Sequence, residues 1–272
     1  MQIETVKGNA NIMQIKNIVN DAFAISPSFF GERNMEFIKN AIESCYFYHW
    51  DTNSITSFWE LLEELEGSSV SRPSKSDEEH YMSEQVPCFH HANYDVYTKK
   101  IYHAVVYKDI QGNGNIANLL HEVFGHVVCG YYQENLAMAQ IRNGIFNVNI
   151  CTGQMENEIA NEGFMELISQ YLADKLHVKF YPGPYGYRTA TEVASCIYSF
   201  YPNRSKIIDL LLYGKYSIES IYNKNVEKDE WTSVSEKLDQ LDTMKKKDYI
   251  QRDCLRDDIE ESLDRFVKRY KR

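Results

Sequence analysis

Within Leu119-Leu120-His121-Glu122-Val123-Phe124-Gly125-His126-Val127-Val128, two imidazoles and a carboxylate interrupt a run that is otherwise apolar. Burying such groups without partners is costly, and a bound metal compensates them, since neutral imidazole is a common zinc ligand. Histidines that share one ion on a regular helix stand four residues apart, as in His-Glu-x-x-His. Here they stand five apart. Five steps of about 100° leave His121 and His126 roughly 140° apart around the axis, too far for a shared ion. One extra residue taken up as a π-turn returns them to nearly one face, and Gly125, lacking a Cβ, accommodates such a turn most easily. An unbroken helix is the competing reading. Ile116, Leu119, Leu120, Val123, Phe124, Val127 and Val128 fit it, and Glu122 and His126 would then be an i, i+4 pair. With 8 His and 39 Asp+Glu in 272 residues, a His-acid-x-x-x-His match arises by chance in roughly 3 of 100 such chains, so a second signal is needed.

That signal is Asn161-Glu162-Gly163-Phe164-Met165-Glu166. Glu162 and Glu166 are four apart, which puts both carboxylates on one face of a helix expected from about Met155 to Leu176. The pair suits a third metal ligand together with a carboxylate that orients a ligand histidine. The alternative is a solvated acidic face. Ile159, Phe164, Met165, Leu167, Ile168, Tyr171 and Leu172 crowd the pair and favour a buried site.

The two motifs together resemble those of the gluzincin metallopeptidases. His121-Glu122-Val123-Phe124-Gly125-His126 is similar to the variant signature of the dipeptidyl peptidase III family, and Asn161-Glu162-Gly163-Phe164-Met165-Glu166 to a segment of small bacterial gluzincin-like proteins. The resemblance spans 12 of 272 residues. It implies a zincin-like core and a zinc ion (Zn2+) held by His121, His126 and Glu162. Glu122 would be the general base, Glu166 the hydrogen-bond partner of a ligand histidine, and a peptide or protein the substrate. Dipeptidyl peptidase III chains are much longer, so their exopeptidase specificity is not carried over. The TldD-type proteases share a His-Glu-x-x-Gly-His stretch but use a cysteine ligand, and the Glu162/Glu166 helix argues against them. Gluzincins often stabilise the oxyanion with a tyrosine or histidine beyond the glutamate ligand. Tyr187 is the candidate and Tyr185 the second, both in an aromatic loop over 181–187. The reading from a different class is a catalytically inactive gluzincin-like scaffold or binding protein.

The elements that must position these residues read as α+β and mostly helical, with a small β-hairpin before the metal helix. Three regions are expected: helices over 1–84 ending in a Ser-rich linker, a catalytic core over 85–215, and a helical region over 216–272. All three also fit one compact domain. Helical spacing runs over Met13–Phe23, Asn34–Tyr48 and Ser57–Leu65, with His49-Trp50 as a packed pair and Gly67–Glu84 as the linker. From Val86 to Ile110, β-branched and aromatic residues flank a Thr98-Lys99-Lys100 turn, a hairpin whose edge strand can pair with an extended peptide. His90, His91 and His103 lie there as ordinary strand residues, with His103 the one to test as a substrate contact. Gln111–Asn115 reads as a turn capping a helix from Ile116 to Cys129, which Gly130 ends. Ala137–Gly153 reads as a connection. Further helices are expected over Thr189–Tyr201, Ser205–Leu212, from Ile218 onward, and over Asp248–Tyr270, the last amphipathic and packed on the body or on a second subunit.

Composition sets outer bounds. The chain is 43% hydrophobic and 25% charged, ordinary for a soluble globular protein. A net charge of −10 argues against a nucleic-acid binder. Twenty tyrosines suit a peptide-binding groove and equally a core. The six cysteines form no Cys-x-x-Cys pair and several sit in apolar runs, as expected of reduced thiols in a cytoplasmic protein. Neither a secretory signal nor an apolar run of ~20 residues is seen, so no membrane partner is expected.

Overall fold

Helical and strand periodicities are both realised in the computed structural model. It describes residues 4–5, 12–66, 71–83, 86–95, 97–98, 100–108, 112–134, 139–149, 152, 155–180, 185–223, 229–244 and 248–271. The N-terminal part comprises β1 (Glu4–Thr5), α1 (Ile12–Ile25), α2 (Pro27–Phe30), α3 (Met35–Glu43), β2 (Tyr46–His49), α4 (Phe58–Glu66) and α5 (Lys75–Met82). The hairpin β3 (Cys88–Asp95) and β4 (Lys100–Tyr107) leads into α6 (Gly112–Leu120) and a π-helical turn, His121–Val127. Then come β5 (Gly130–Glu134), β6 (Ala139–Asn143), β7 (Phe146–Asn149), β8 (Met155–Glu156) and α7 (Glu158–Lys175). The chain finishes with α8 (Tyr185–Phe200), α9 (Arg204–Tyr213), α10 (Ile218–Tyr222), α11 (Glu230–Thr243) and α12 (Tyr249–Tyr270). The protein is α+β and mostly helical.

Two four-stranded sheets flank α6 and the π-helical turn. The first has the order β1-β2-β4-β3, with β2 parallel to β4 and β3 antiparallel to it at the edge. Because side chains alternate along a strand, His103, Val105 and Tyr107 of β4 share the face turned to the π-turn, while Val106 looks the other way. Val105 and Tyr107 join the main core there. Tyr48, Trp50, Phe89 and Val106 form a smaller cluster with α4 on the opposite face.

The second sheet, β5-β6-β7-β8, is an antiparallel meander that fills the segment read as a connection. Asn143 pairs with Phe146, so Gly144 and Ile145 make a two-residue turn, and Gly144 takes a φ of 58° that glycine adopts without steric cost.

Several other expectations are corrected. The helix predicted to run on to Tyr48 stops at Glu43, because Phe47 and Tyr48 bury on opposite faces of the sheet, which only a strand allows. The Ser-rich linker contains α5, whose cap is Ser74 Oγ accepting from the Asp77 N–H at 3.1 Å. Lys108 Nζ then donates to the carbonyls of Tyr81 and Ser83, both at 2.6 Å, and ties α5 to the end of β4. The turn at Gln111–Asn115 is largely the first turn of α6, with Gln111 outside the described residues. Gly130 opens β5 instead of capping a helix; a Cβ there would lie 2.5 Å from His103 Cε1. Tyr185 to Tyr187 form the start of α8, and 181–184 of the expected loop lie outside the described residues.

One cluster of buried apolar residues runs from Ile15 to Phe266, so all three regions contribute to one core. α7 lies at its centre. Ser169 Oγ donates to the Ala117 carbonyl at 2.7 Å, fixing α7 beside α6. Against α8 it packs so closely that a Cβ on Gly163 would sit 2.3 Å from the Ala190 carbonyl carbon and oxygen. That contact brings the first turns of α8 alongside Glu162. α12 packs on the body through Ile259 and Phe266, with Tyr222 Oη donating to Ser262 Oγ at 3.0 Å. Among the described residues no helix is long and apolar enough to cross a membrane.

Candidate metal centre

The five-residue spacing is absorbed as a π-turn over His121–Val127. It brings His121 Nε2 to 3.0 Å from His126 Nε2. Glu162 on α7 places Oε2 3.2 Å from His121 Nε2 and 3.5 Å from His126 Nε2. Ligands about 2.0–2.1 Å from a tetrahedral zinc stand about 3.3 Å from one another, so these three donors have the spacing of one face of such a polyhedron. Their side chains are only 11, 14 and 15% exposed, a setting in which the cluster needs a compensating charge. Among the described residues, His121, His126 and Glu162 form a group able to hold a metal ion. Gly125 serves this geometry through close packing: a Cβ would lie 2.9 Å from Met165 Cβ, so its absence lets the π-turn press against α7.

The tautomer of His126 is fixed by an amide. Asn143 Nδ2 donates to the His126 carbonyl at 2.7 Å, which turns Asn143 Oδ1 toward His126 Nδ1, 3.1 Å away. Nδ1 therefore carries the proton and donates it to Oδ1, leaving the Nε2 lone pair for a cation. Asn161 Nδ2 donates to the same Oδ1 at 3.3 Å, while Asn161 Oδ1 accepts from the Ile145 N–H at 3.0 Å. Sequence reasoning missed Asn143: it ends a strand beside the Gly144-Ile145 turn, and nothing local marks its bond to His126. Glu166, expected to bond a ligand histidine, is buried one turn beyond Glu162, and its charge helps raise the pKa of His121. Replacing Asn143 by Leu is expected to weaken zinc binding about 10- to 100-fold in competition with a chelator, the usual cost of losing a group that orients a ligand histidine. Unchanged affinity would remove Asn143 from the centre.

Electrostatics polarise the cluster. Burial opposes charge on His121, but the hydrogen bond to Glu162 and the carboxylates of Glu122, Glu162 and Glu166 outweigh it and lift the pKa to about 9. His126 is raised in the same way, burial opposing and Glu162 prevailing. Glu162 is held well below the usual carboxylate range, its burial more than offset by the two imidazoles. Glu122 goes the other way: burial raises it, the imidazoles pull against that, and the charge of Glu162 adds to the rise. Its carboxylate accepts from the backbone N–H of His90 at the sheet edge.

Tyr187 lies in the first turn of α8, half-buried, and its phenol is pushed up by burial and by the charges of Glu162, Asp242, Glu122 and Glu158. Tyr185 is in the same turn, but its side chain is outside the described residues. A second phenol, missed because it lies in the expected linker, is Tyr81. Its ring stacks on Phe58 at 4.3 Å, and its pKa is raised by burial and then by Glu122, Asp77 and Glu162.

The three strand histidines part company. His91 points to the outer face and pairs with Glu66 of α4. His90 faces the metal helix, its ring parallel to that of His126 at 5.6 Å, and its Nε2 is 2.8 Å from His103 Nδ1. The His49-Trp50 pair is packed as expected, with Trp50 Nε1 donating to the Ile55 carbonyl and His49 against Tyr107. A cavity of about 190 Å³, lined by His90, His103, His126, Asn143, Glu158 and Glu162 among others, opens beside this cluster.

No family model matches this chain, and no curated protein or solved structure does either.

Proposed function

We propose that this protein is a zinc-dependent peptidase of the gluzincin type, with His121, His126 and Glu162 as ligands and Glu122 as general base. The observation that carries the reading is the triangle of donor atoms, 3.0 to 3.5 Å on a side, with a carboxylate of raised pKa on the adjoining residue. A zinc ion held there supplies Lewis acidity, lowering the pKa of water toward ~7 and polarising a carbonyl. Glu122 takes the proton of the attacking water and returns it to the leaving amine. A phenol donates to the oxygen that gains charge at the carbonyl; Tyr187 is the proposed donor, and Tyr81 is a second phenol raised by the same Glu122 and Glu162 charges. A peptide can add to the free edge of β3, where Ala92 and Asn93 are exposed; nearer the metal, the His90 N–H is already taken by Glu122. The buried free thiols of Cys45, Cys88 and Cys129 suit a reducing compartment, and the cytoplasm is the proposed location.

The test is metal analysis of the purified protein combined with hydrolysis of a quenched peptide library. One zinc per chain and cleavage that a chelator abolishes are expected, with both zinc and cleavage lost in the His121→Ala/His126→Ala double variant. Bound zinc without cleavage of any peptide would favour a non-catalytic scaffold, and zinc retained by the double variant would refute the ligand set.

A further inference from the structure

We propose that His90 is a positioning residue of the metal centre, holding the plane of the ligand His126 through its ring and the carboxylate of Glu122 through its backbone N–H. This role rests on the ligand assignment proposed above and deepens it. The pairing of β3 with β4 prepares it. His90 lies opposite Val105 and Ala92 opposite His103, so His90 and His103 are diagonal neighbours on one face of the hairpin, a separation that long side chains bridge. His90 Nε2 stands 2.8 Å from His103 Nδ1, a hydrogen bond that needs one nitrogen with a proton and one without. Burial, with neighbouring imidazoles adding to it, lowers the pKa of both rings, so both are neutral and one N–H links them. His103 is itself clamped: it is only 7% exposed and packs against the bare backbone of Gly130, where a Cβ would lie 2.5 Å from its Cε1.

The anchored His90 ring then meets His126. The two planes are 2° from parallel with centroids 5.6 Å apart, within the range of an offset stack. A hydrogen bond alone does not hold an imidazole plane, because χ2 of histidine is broad instead of confined to staggered wells. Asn143 fixes the tautomer of His126 and the direction of its Nδ1. The parallel ring of His90 restricts the swing that remains, and with it the direction in which Nε2 offers its lone pair. The same residue reaches the base. β3 is the last strand in the order β1-β2-β4-β3, so the His90 N–H at its free edge goes to the Glu122 carboxylate instead of to a neighbouring strand. One strand residue thus touches both a ligand and the general base, which stand on the same π-turn.

Cobalt(II) loaded in place of zinc provides the test, because its visible absorption bands respond to the geometry of the ligands and need no turnover. His90→Phe keeps a flat ring wedged between His103 and His126, whereas His90→Leu fills similar space without a planar face; neither removes the backbone N–H. His90→Leu is expected to bind one cobalt per chain with shifted bands. It should also hold zinc about tenfold more weakly in competition with a chelator, the scale on which groups that orient a ligand histidine act. His90→Phe should keep the parental bands and an affinity close to the parental one. His90→Val, suited to a strand, replaces His90→Leu should that variant not fold. Parental bands and affinity in His90→Leu overturn the role of His90, and so do bands in His90→Phe shifted as far as those of His90→Leu. An unsubstituted protein that takes up no cobalt overturns the ligand assignment itself, and this role with it.

Discussion

Glu122→Gln is expected to lower peptide hydrolysis by the zinc-loaded protein about 100- to 10,000-fold, the range supplied by a positioned general base, while one zinc per chain is retained. The amide is nearly isosteric and can still accept from the His90 N–H, so the substitution removes proton affinity with little change in shape. Burial and the charge of Glu162 push Glu122 above the ordinary carboxylate range, against the pull of His121 and His126, toward the pH at which a base works best. Activity of the unsubstituted protein should therefore rise with pH through this raised pKa, and the rise should be missing from whatever activity the variant retains. Glu166→Gln is the companion measurement. Glu166 acts on His121 through its charge, so its loss should alter zinc affinity more than turnover at saturating zinc. Hydrolysis by Glu122→Gln within threefold of the parent would end the assignment of the base. Loss of zinc along with activity would make Glu122 part of the metal site.

The reason Glu122 could be singled out from sequence is that the π-turn leaves a mark of its own. Two histidines five apart in an apolar run cannot share a face of a regular helix, and a shifted register was the physical repair. The α7 carboxylates were legible through their four-residue spacing amid apolar neighbours. The β3–β4 hairpin is legible because β-branched and aromatic residues cluster on both sides of the polar Thr98-Lys99-Lys100 turn. What sequence could not say was which face of that hairpin looks at His121 and His126. His90, His91 and His103 all read as strand residues, with His103 alone set apart as a substrate contact, yet His91 reaches out to Glu66 while His90 and His103 meet over His126.

Short aromatic runs were harder still. Tyr46-Phe47-Tyr48 satisfies a helix and a strand equally, and only the parallel pairing with β4, distant in sequence, decides for the strand. Asn143 and Tyr81 lie in segments whose sequence reads as a connection and a linker. A hydrogen bond to a ligand ring, or a phenol stacked on Phe58 near Glu122, has no local signature. Gly125 is a subtler case. Its place in the motif suggests backbone freedom, whereas what the fold uses is the missing Cβ facing Met165.

Zinc affinity is expected to rise steeply between about pH 6.5 and 9 and then level off. The raised pKa of about 9 for His121 means that its imidazole is protonated at neutral pH in the metal-free protein, and zinc must displace that proton. Each displaced proton makes the apparent affinity tenfold per pH unit. Glu162, held below the usual carboxylate range, is ionised throughout this window and contributes no slope. His126 is raised as well, so the slope should lie between one and two decades per pH unit at its steepest. Stability of the metal-free protein should run the opposite way. A histidine whose folded pKa exceeds its unfolded value contributes stability fully below the unfolded pKa, about 6.5, and loses that contribution as pH rises through the folded one. Metal-free protein should therefore become less stable from pH 6.5 to 9 while excess zinc becomes more stabilising, a divergence readable from denaturant midpoints measured with chelator and with zinc. If His121 and His126 were merely an ion-paired cluster with Glu162, the loss with chelator would be seen but zinc would not reverse it. If affinity were flat across the window, the imidazoles would not be exchanging protons for metal, and the triangle of donors would have to be read as something other than a metal site.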